Sequence, residues 1–277
     1  FGLSASALGF AVSSAVLGTI VGSMAAGLCA DLLGRRAVLC ISGGIYAAAI
    51  LFAVSAHHLP LFAACRFLCG LAIGLISVGA PMYLAEIAPP RWRGRIVGLF
   101  QLSLSLGVVL AFLLGYLLSA HMQSGLVWRL LLSAGLFPCL LGELCLLQAA
   151  PSPRWLAAKG GLSEARAALV MLGSEDPGAE AASMAAFLKT AADSTQPRLF
   201  SRQYLRPILL ATSIAVFNQL TGVNALLYYI LDVFHDLGSG RLNGRADALT
   251  LATLSLLVTA LAVFIIDKAG RRPLLLI

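Results

Sequence analysis

Residues 215–229 read AVFNQLTGVNALLYY, and they place Asn218, Gln219, Thr221, Asn224, Tyr228 and Tyr229 inside one apolar run. Each amide offers both a hydrogen-bond donor and an acceptor, which suits a neutral polyhydroxyl ligand. An ionic ligand would call for buried Lys, Arg, Asp or Glu, and this segment has none before Asp232. Asn224 and Tyr228 are four apart and share a helical face. Gly222 permits local unwinding or a close approach. Hydrogen bonds between helices are the competing use of the same groups. A second polar stretch, LFQLSLSLG at 99–107, carries Gln101, Ser103 and Ser105. Gln101 reaches a central cavity only if its helix is long and tilted; otherwise it bonds to a neighbouring helix.

Charge is the other signal. DLLGRR at 31–36 is echoed by DKAGRR at 267–272, each after a long apolar run. Arg66, in CRFLCG, and Glu143 lie within apolar runs. A charge at the centre of a membrane helix costs about 2.5–3.5 kcal/mol on insertion scales, so it faces a partner or a cavity, or reaches the interface along its stem. For Glu143, near a span end, reaching the interface is the simpler expectation. For Arg66, snorkelling to the outer interface competes with a buried pairing role.

The elements that must position these groups follow from composition. The chain is 60% hydrophobic and 11% charged, whereas soluble domains are about 25% charged. Runs long enough to cross about 30 Å of hydrocarbon recur. Seven spans are expected at about 9–30, 38–56, 61–85, 96–119, 128–149, 207–234 and 248–266, with an eighth starting near Pro273. The fold class is all-α and integral to a membrane. Of 19 Lys and Arg, 15 fall in the loops after spans one, three, five and seven. The positive-inside rule makes those loops cytosolic. Six complete spans separate the two GRR clusters, so both lie on one face, at equivalent places of a six-span repeat. Such duplication is a common transporter design.

The long loop 150–206 is Ala-rich and charged; short amphipathic helices fit LSEARAALVML and AEAASMAAFLK, with Ser163 as an N-cap. It reads as a linker between two membrane halves, 1–149 and 207–277. The chain opens without Met and closes on PLLLI, so both ends look cut. The basic residues behind the net charge of +7 sit mostly in one set of loops, which argues against nucleic acid. The six cysteines form no CxxC pair and read as small packing residues, as do the GxxxG spacings Gly18/Gly22 and Gly70/Gly74. The four histidines lack ligand spacing. GxxxxGK, HExxH and GxSxG are absent, so no nucleotide, metal or cofactor site is implied and no enzyme is expected.

Taken together, GLCADLLGRR (27–36), PMYLAEIAPPRWRGR (81–95), SPRWL (152–156), NQLTGVNALLYY (218–229) and DKAGRR (267–272) resemble the sugar porter family of the major facilitator superfamily, as its helices two to eight. The resemblance implies two six-helix bundles that rock so that a sugar site between them faces each side in turn. It implies that Gln101, Gln219, Asn224 and Tyr228 line that site. Asn218 stands where the family has a Gln, and Ser255 roughly where helix eight often carries an Asn. Those departures leave hexose, pentose and polyol open, and another small solute or a transport-inactive sensor remain the alternatives. Asp31, Arg35, Arg36, Glu86, Arg93, Arg154, Asp267, Arg271 and Arg272 match the family's cytosolic charge network, whose salt bridges between bundles hold the inner gate shut. Pro151 replaces the Glu of PESPR, so one acidic partner is missing. Arg66 matches the Arg that pairs with a helix-one Asp in proton-linked members. The implied partners are a monosaccharide, the lipid bilayer and, in a symporter, a proton; the implied setting is a multi-pass protein of the cell membrane, working as a monomer.

Overall fold

The computed structural model describes residues 5–89, 91–121, 126–193, 202–222 and 241–269. Every regular element among them is an α-helix: α1 (Ala5–Leu33), α2 (Arg35–Ser55), α3 (Leu59–Ile87), α4 (Arg93–His121), α5 (Val127–Ala134), α6 (Leu136–Gln148), α7 (Pro153–Ala158), α8 (Leu162–Met171), α9 (Pro177–Asp193), α10 (Arg202–Leu220) and α11 (Arg241–Ala269). Among the described residues, six segments are long and apolar enough to cross a membrane, and they fall on the first five expected spans and the seventh. The remaining expected span is described only as far as residue 222, and the start near Pro273 lies outside the described residues.

Glycine decides how closely the first helices pack. Gly18 and Gly22 of α1 meet Gly70 and Gly74 of α3. A Cβ on Gly70 would stand 1.9 Å from the Ala15 carbonyl oxygen, and one on Gly18 would stand 2.1 Å from that of Phe67. The two GxxxG spacings therefore interlock backbone against backbone. Helix α2 closes the other side of α3, burying Val38 and Leu75 near one end and Ala49, Ile50 and Cys69 further along. The α1–α2 turn falls at Gly34, whose φ of 90° lies in the left-handed region that favours glycine.

The expected span at 128–149 is interrupted. Helices α5 and α6 meet at Gly135, where a Cβ would lie 2.9 Å from the Tyr46 hydroxyl. Pro138, three residues on, cannot donate to the preceding turn, so the break has a backbone cause as well as a packing one.

Helix α4 packs along α11, which joins the first six helices to the described part of the chain beyond residue 241. The pair is antiparallel: Gly98 sits against Val263, the Ser105 and Thr259 hydroxyls are 3.4 Å apart, and Arg245 donates to the Gly115 carbonyl at 2.9 Å. Between the spans, α7, α8 and α9 bury Ala157, Ala165, Leu169 and Ala181 together. Ser163 is not the cap of α8. Gly161 holds that position without a side-chain bond, while the Ser163 hydroxyl donates to Glu164 at 2.7 Å. Leucines and phenylalanines cover the outside of the spans; Leu28 is 71% and Phe137 76% exposed. Such an apolar exterior is favourable against hydrocarbon or further helices and costly against water.

Candidate functional site

At the end where α1 and α3 finish and α2 begins, the DLLGRR residues build a charge cluster. Arg35 Nε lies 3.1 Å from both carboxylate oxygens of Glu86, from α3. Its Nη2 reaches Asp31 at 3.0 Å and its Nη1 donates to the Ala30 carbonyl at 3.0 Å. The Arg35 and Glu86 side chains are 14% and 10% exposed, whereas Asp31 is 72% exposed. The inner pair is thus the stronger one, and the Asp31 contact is largely screened by solvent.

Pro151 follows α6 where the PESPR pattern carries a Glu, and the adjacent Ser152 supplies the contact that the sequence reading missed. Its hydroxyl donates to Glu86 Oε2 and accepts from the Trp155 backbone N–H at 3.2 Å, capping α7. Trp155 lies flat over Gly34, and its Nε1 donates to the Asp31 carbonyl at 3.0 Å. The Tyr83 hydroxyl donates to the Ala150 carbonyl. Arg36 turns away from the acids and donates to the Leu146 and Leu147 carbonyls, both at 2.8 Å. Those are among the last carbonyls of α6, where i to i+4 partners run out, and the Leu146 carbonyl also accepts from the Ala149 N–H at 3.2 Å. Five elements, α1, α2, α3, α6 and α7, are thereby tied at one point. Arg93 and Arg154 are exposed, and among the described residues no carboxylate pairs with either. The side chain of Asp267 and the whole of Arg271 and Arg272 lie outside the described residues, as does any bridge they make between the two halves.

The polar groups proposed to line a cavity are only partly described. Asn224 and Tyr228 lie outside the described residues, as does the Asn218 side chain. Gln101 is exposed on α4, Gln219 is exposed on the last turn of α10, and Ser255 is exposed on α11. The antiparallel seam puts Gln101 and Ser255 on helices in contact, with Ser255 about 10 Å further along the pair. Arg66 is half-buried in α3, within electrostatic reach of Tyr46 and Cys69. Glu143 departs from expectation. Its carboxylate turns to the space over Gly43 of α2, beside Cys40, rather than along its stem. The signal for this was Gly43, whose missing side chain makes the room.

Interlocked membrane-length helices with a charge cluster at one end define a multi-pass membrane protein. The Sugar (and other) transporter family model matches residues 2–277. The chain is 33% identical over 268 residues to the sugar transporter ERD6-like 7 of Arabidopsis thaliana, covering 94% of this chain and 55% of that protein. It is 33% identical to the glucose facilitated diffusion protein of Zymomonas mobilis, covering 98% and 60%, and 28% identical to the D-xylose-proton symporter of Escherichia coli, covering 98% and 60%. The xylose symporter XylE with bound 6-bromo-6-deoxy-D-glucose superposes with a TM-score of 0.87 at 26% identity, over 99% of this chain and 63% of that one. The inward-open form of XylE from Escherichia coli superposes with a TM-score of 0.76 at 27% identity, over 99% and 62%. The chain belongs to the sugar porter family of the major facilitator superfamily, and it spans 55–60% of the length of the relatives named.

Proposed function

We propose that this chain carries the sugar-handling helices of a transporter that moves a monosaccharide across the cell membrane by alternating access. The observation that carries the reading is the family membership over residues 2–277, with relatives named for glucose, arabinose and xylose transport. Helices α1 to α6, within residues 1–149, belong to one bundle; residues 150–206 link it to a second, which begins at 207. The basic loops face the cytosol. Gln101, Asn218, Gln219, Asn224, Tyr228 and Ser255 bind the sugar hydroxyls. Asp31, Arg35, Arg36, Glu86, Arg93, Arg154, Asp267, Arg271 and Arg272 form the inner gate. Arg66 is the partner of a proton-carrying carboxylate if transport is proton-linked.

Uptake of labelled xylose and glucose into liposomes holding the purified protein tests this. Gln101→Ala and Gln219→Ala should each raise KM by about 5- to 100-fold, the loss of one or two hydrogen bonds to a neutral ligand. Unchanged KM in both variants would overturn the assigned site. Uptake that responds to an imposed pH gradient identifies a symporter, and uptake indifferent to it a uniporter. Asn218 and Ser255, the two departures from the hexose pattern, favour including pentoses and polyols as competitors.

A further inference from the structure

The segment joining α3 to α4 reads PPRWRGR, and it carries more basic and aromatic character than a short connection needs. Arg91, Trp92, Gly94 and Arg95 line a cavity of about 610 Å³. Its described lining contains no carboxylate. Glu86, the acid nearest in sequence, is occupied by Arg35 and Ser152. The Arg95 guanidinium lies 4.9 Å over the Trp92 ring, which braces the indole while leaving it 50% exposed. The first turn of α4 carries no acidic residue, so no side chain of that turn offsets its positive end. Gly94 stands in that turn and adds no side chain over it.

The location selects the source of the anion. Leu59–Ile87 and Arg93–Leu118 are both membrane-length helices, so the connection between them lies at the depth of lipid headgroups. Tryptophan is enriched at that depth, and arginine binds phosphate through two N–H groups at once. We infer that Arg91, Trp92 and Gly94 form a binding site for the phosphate of an anionic phospholipid headgroup in the leaflet at this end of the molecule, with Arg95 bracing the indole. The site does not depend on which solute is transported.

The test is native mass spectrometry of the purified protein with phosphatidylglycerol or phosphatidylcholine of the same acyl chains. Phosphatidylglycerol should be retained preferentially, and Arg91→Gln should lower its retention about fivefold, the effect of one basic side chain at an anionic surface. Arg91→Lys should keep most of it. Trp92→Ala should weaken it, and Lys189→Gln, on exposed α9, should leave it unchanged. Equal losses for Arg91→Gln and Lys189→Gln would overturn the site in favour of diffuse attraction, and equal retention of the two lipids would overturn it outright. Competition with inorganic phosphate on the unaltered protein decides even if Arg91→Gln fails to fold. Displacement at concentrations comparable to the lipid's would mean a site for free anions, and resistance to displacement supports the lipid.

Discussion

Ser152 holds two bonds at once, and a mutant cycle separates them. Its hydroxyl donates to Glu86 and accepts from the Trp155 N–H, and the residue is 2% exposed. Ser152→Ala removes a hydrogen bond to a charged group, worth about 1.5–3 kcal/mol, and an N-cap worth about 1 kcal/mol. The total is roughly 3 kcal/mol. In a Glu86→Gln background the acceptor is a neutral amide, so the same truncation should cost only about 1–2 kcal/mol. The difference, a coupling of about 1–2 kcal/mol, is the charged part of the bond. At about 2–4 °C per kcal/mol for a chain of this size, Ser152→Ala should lower the melting temperature by roughly 6–12 °C. Thermal unfolding of all four proteins in one detergent at one scan rate reads the cycle. Effects additive within about 0.5 kcal/mol would refute the idea that Ser152 stabilises Glu86.

Other perturbations follow from the same geometry. Gly70→Ala ordinarily favours a helix by about 1 kcal/mol, but here the new Cβ meets the Ala15 carbonyl at 1.9 Å, so a loss of about 1–3 kcal/mol is expected instead; a raised melting temperature would contradict the interlock. Gly43→Ala places a Cβ 1.6 Å from Glu143 Oε1, so its cost should largely vanish in a Gly43→Ala/Glu143→Ala double variant; equal destabilisation in both backgrounds would show that the carboxylate is not what fills that space. The Glu164 carboxyl is held below its ordinary range by the Ser163 hydroxyl and then by its own backbone N–H. Its contribution is present above the unfolded pKa and is lost as pH falls through the lower folded one. Ser163→Ala should return the Glu164 titration toward the ordinary carboxylate range in a carbon-detected NMR titration, and an unmoved midpoint would rule the hydroxyl out as the cause.

Most of the spans were legible because hydrocarbon imposes a length and a composition on any helix that crosses it. The GxxxG spacings announced packing, though not which helix met which. The break at Gly135 escaped notice because hydropathy is blind to it; Pro138 was the available signal. Of the charge cluster, Asp31, Arg35 and Glu86 were readable from two motifs and do meet. Arg36, from the same motif, donates to the α6 carbonyls in this arrangement, since two adjacent arginines on a helix point in different directions. Ser152 was overlooked because a serine beside two prolines looks like a loop residue until its hydroxyl is seen between a carboxylate and a helix end. The α4–α11 seam had no signature, because contact between helices so distant in sequence leaves no periodicity in either.

The glycine interlock has a mechanical consequence. Where backbones touch, two helices can neither slide nor twist without collision, so α1 and α3 must travel as one stiff plate. The seam between α4 and α11 is different in kind: its described contacts include a valine against a glycine, two hydroxyls and one long arginine. Rotamer changes can absorb a change of angle there at little expense. Rigidity and compliance are thus segregated between these two contacts of one set of helices.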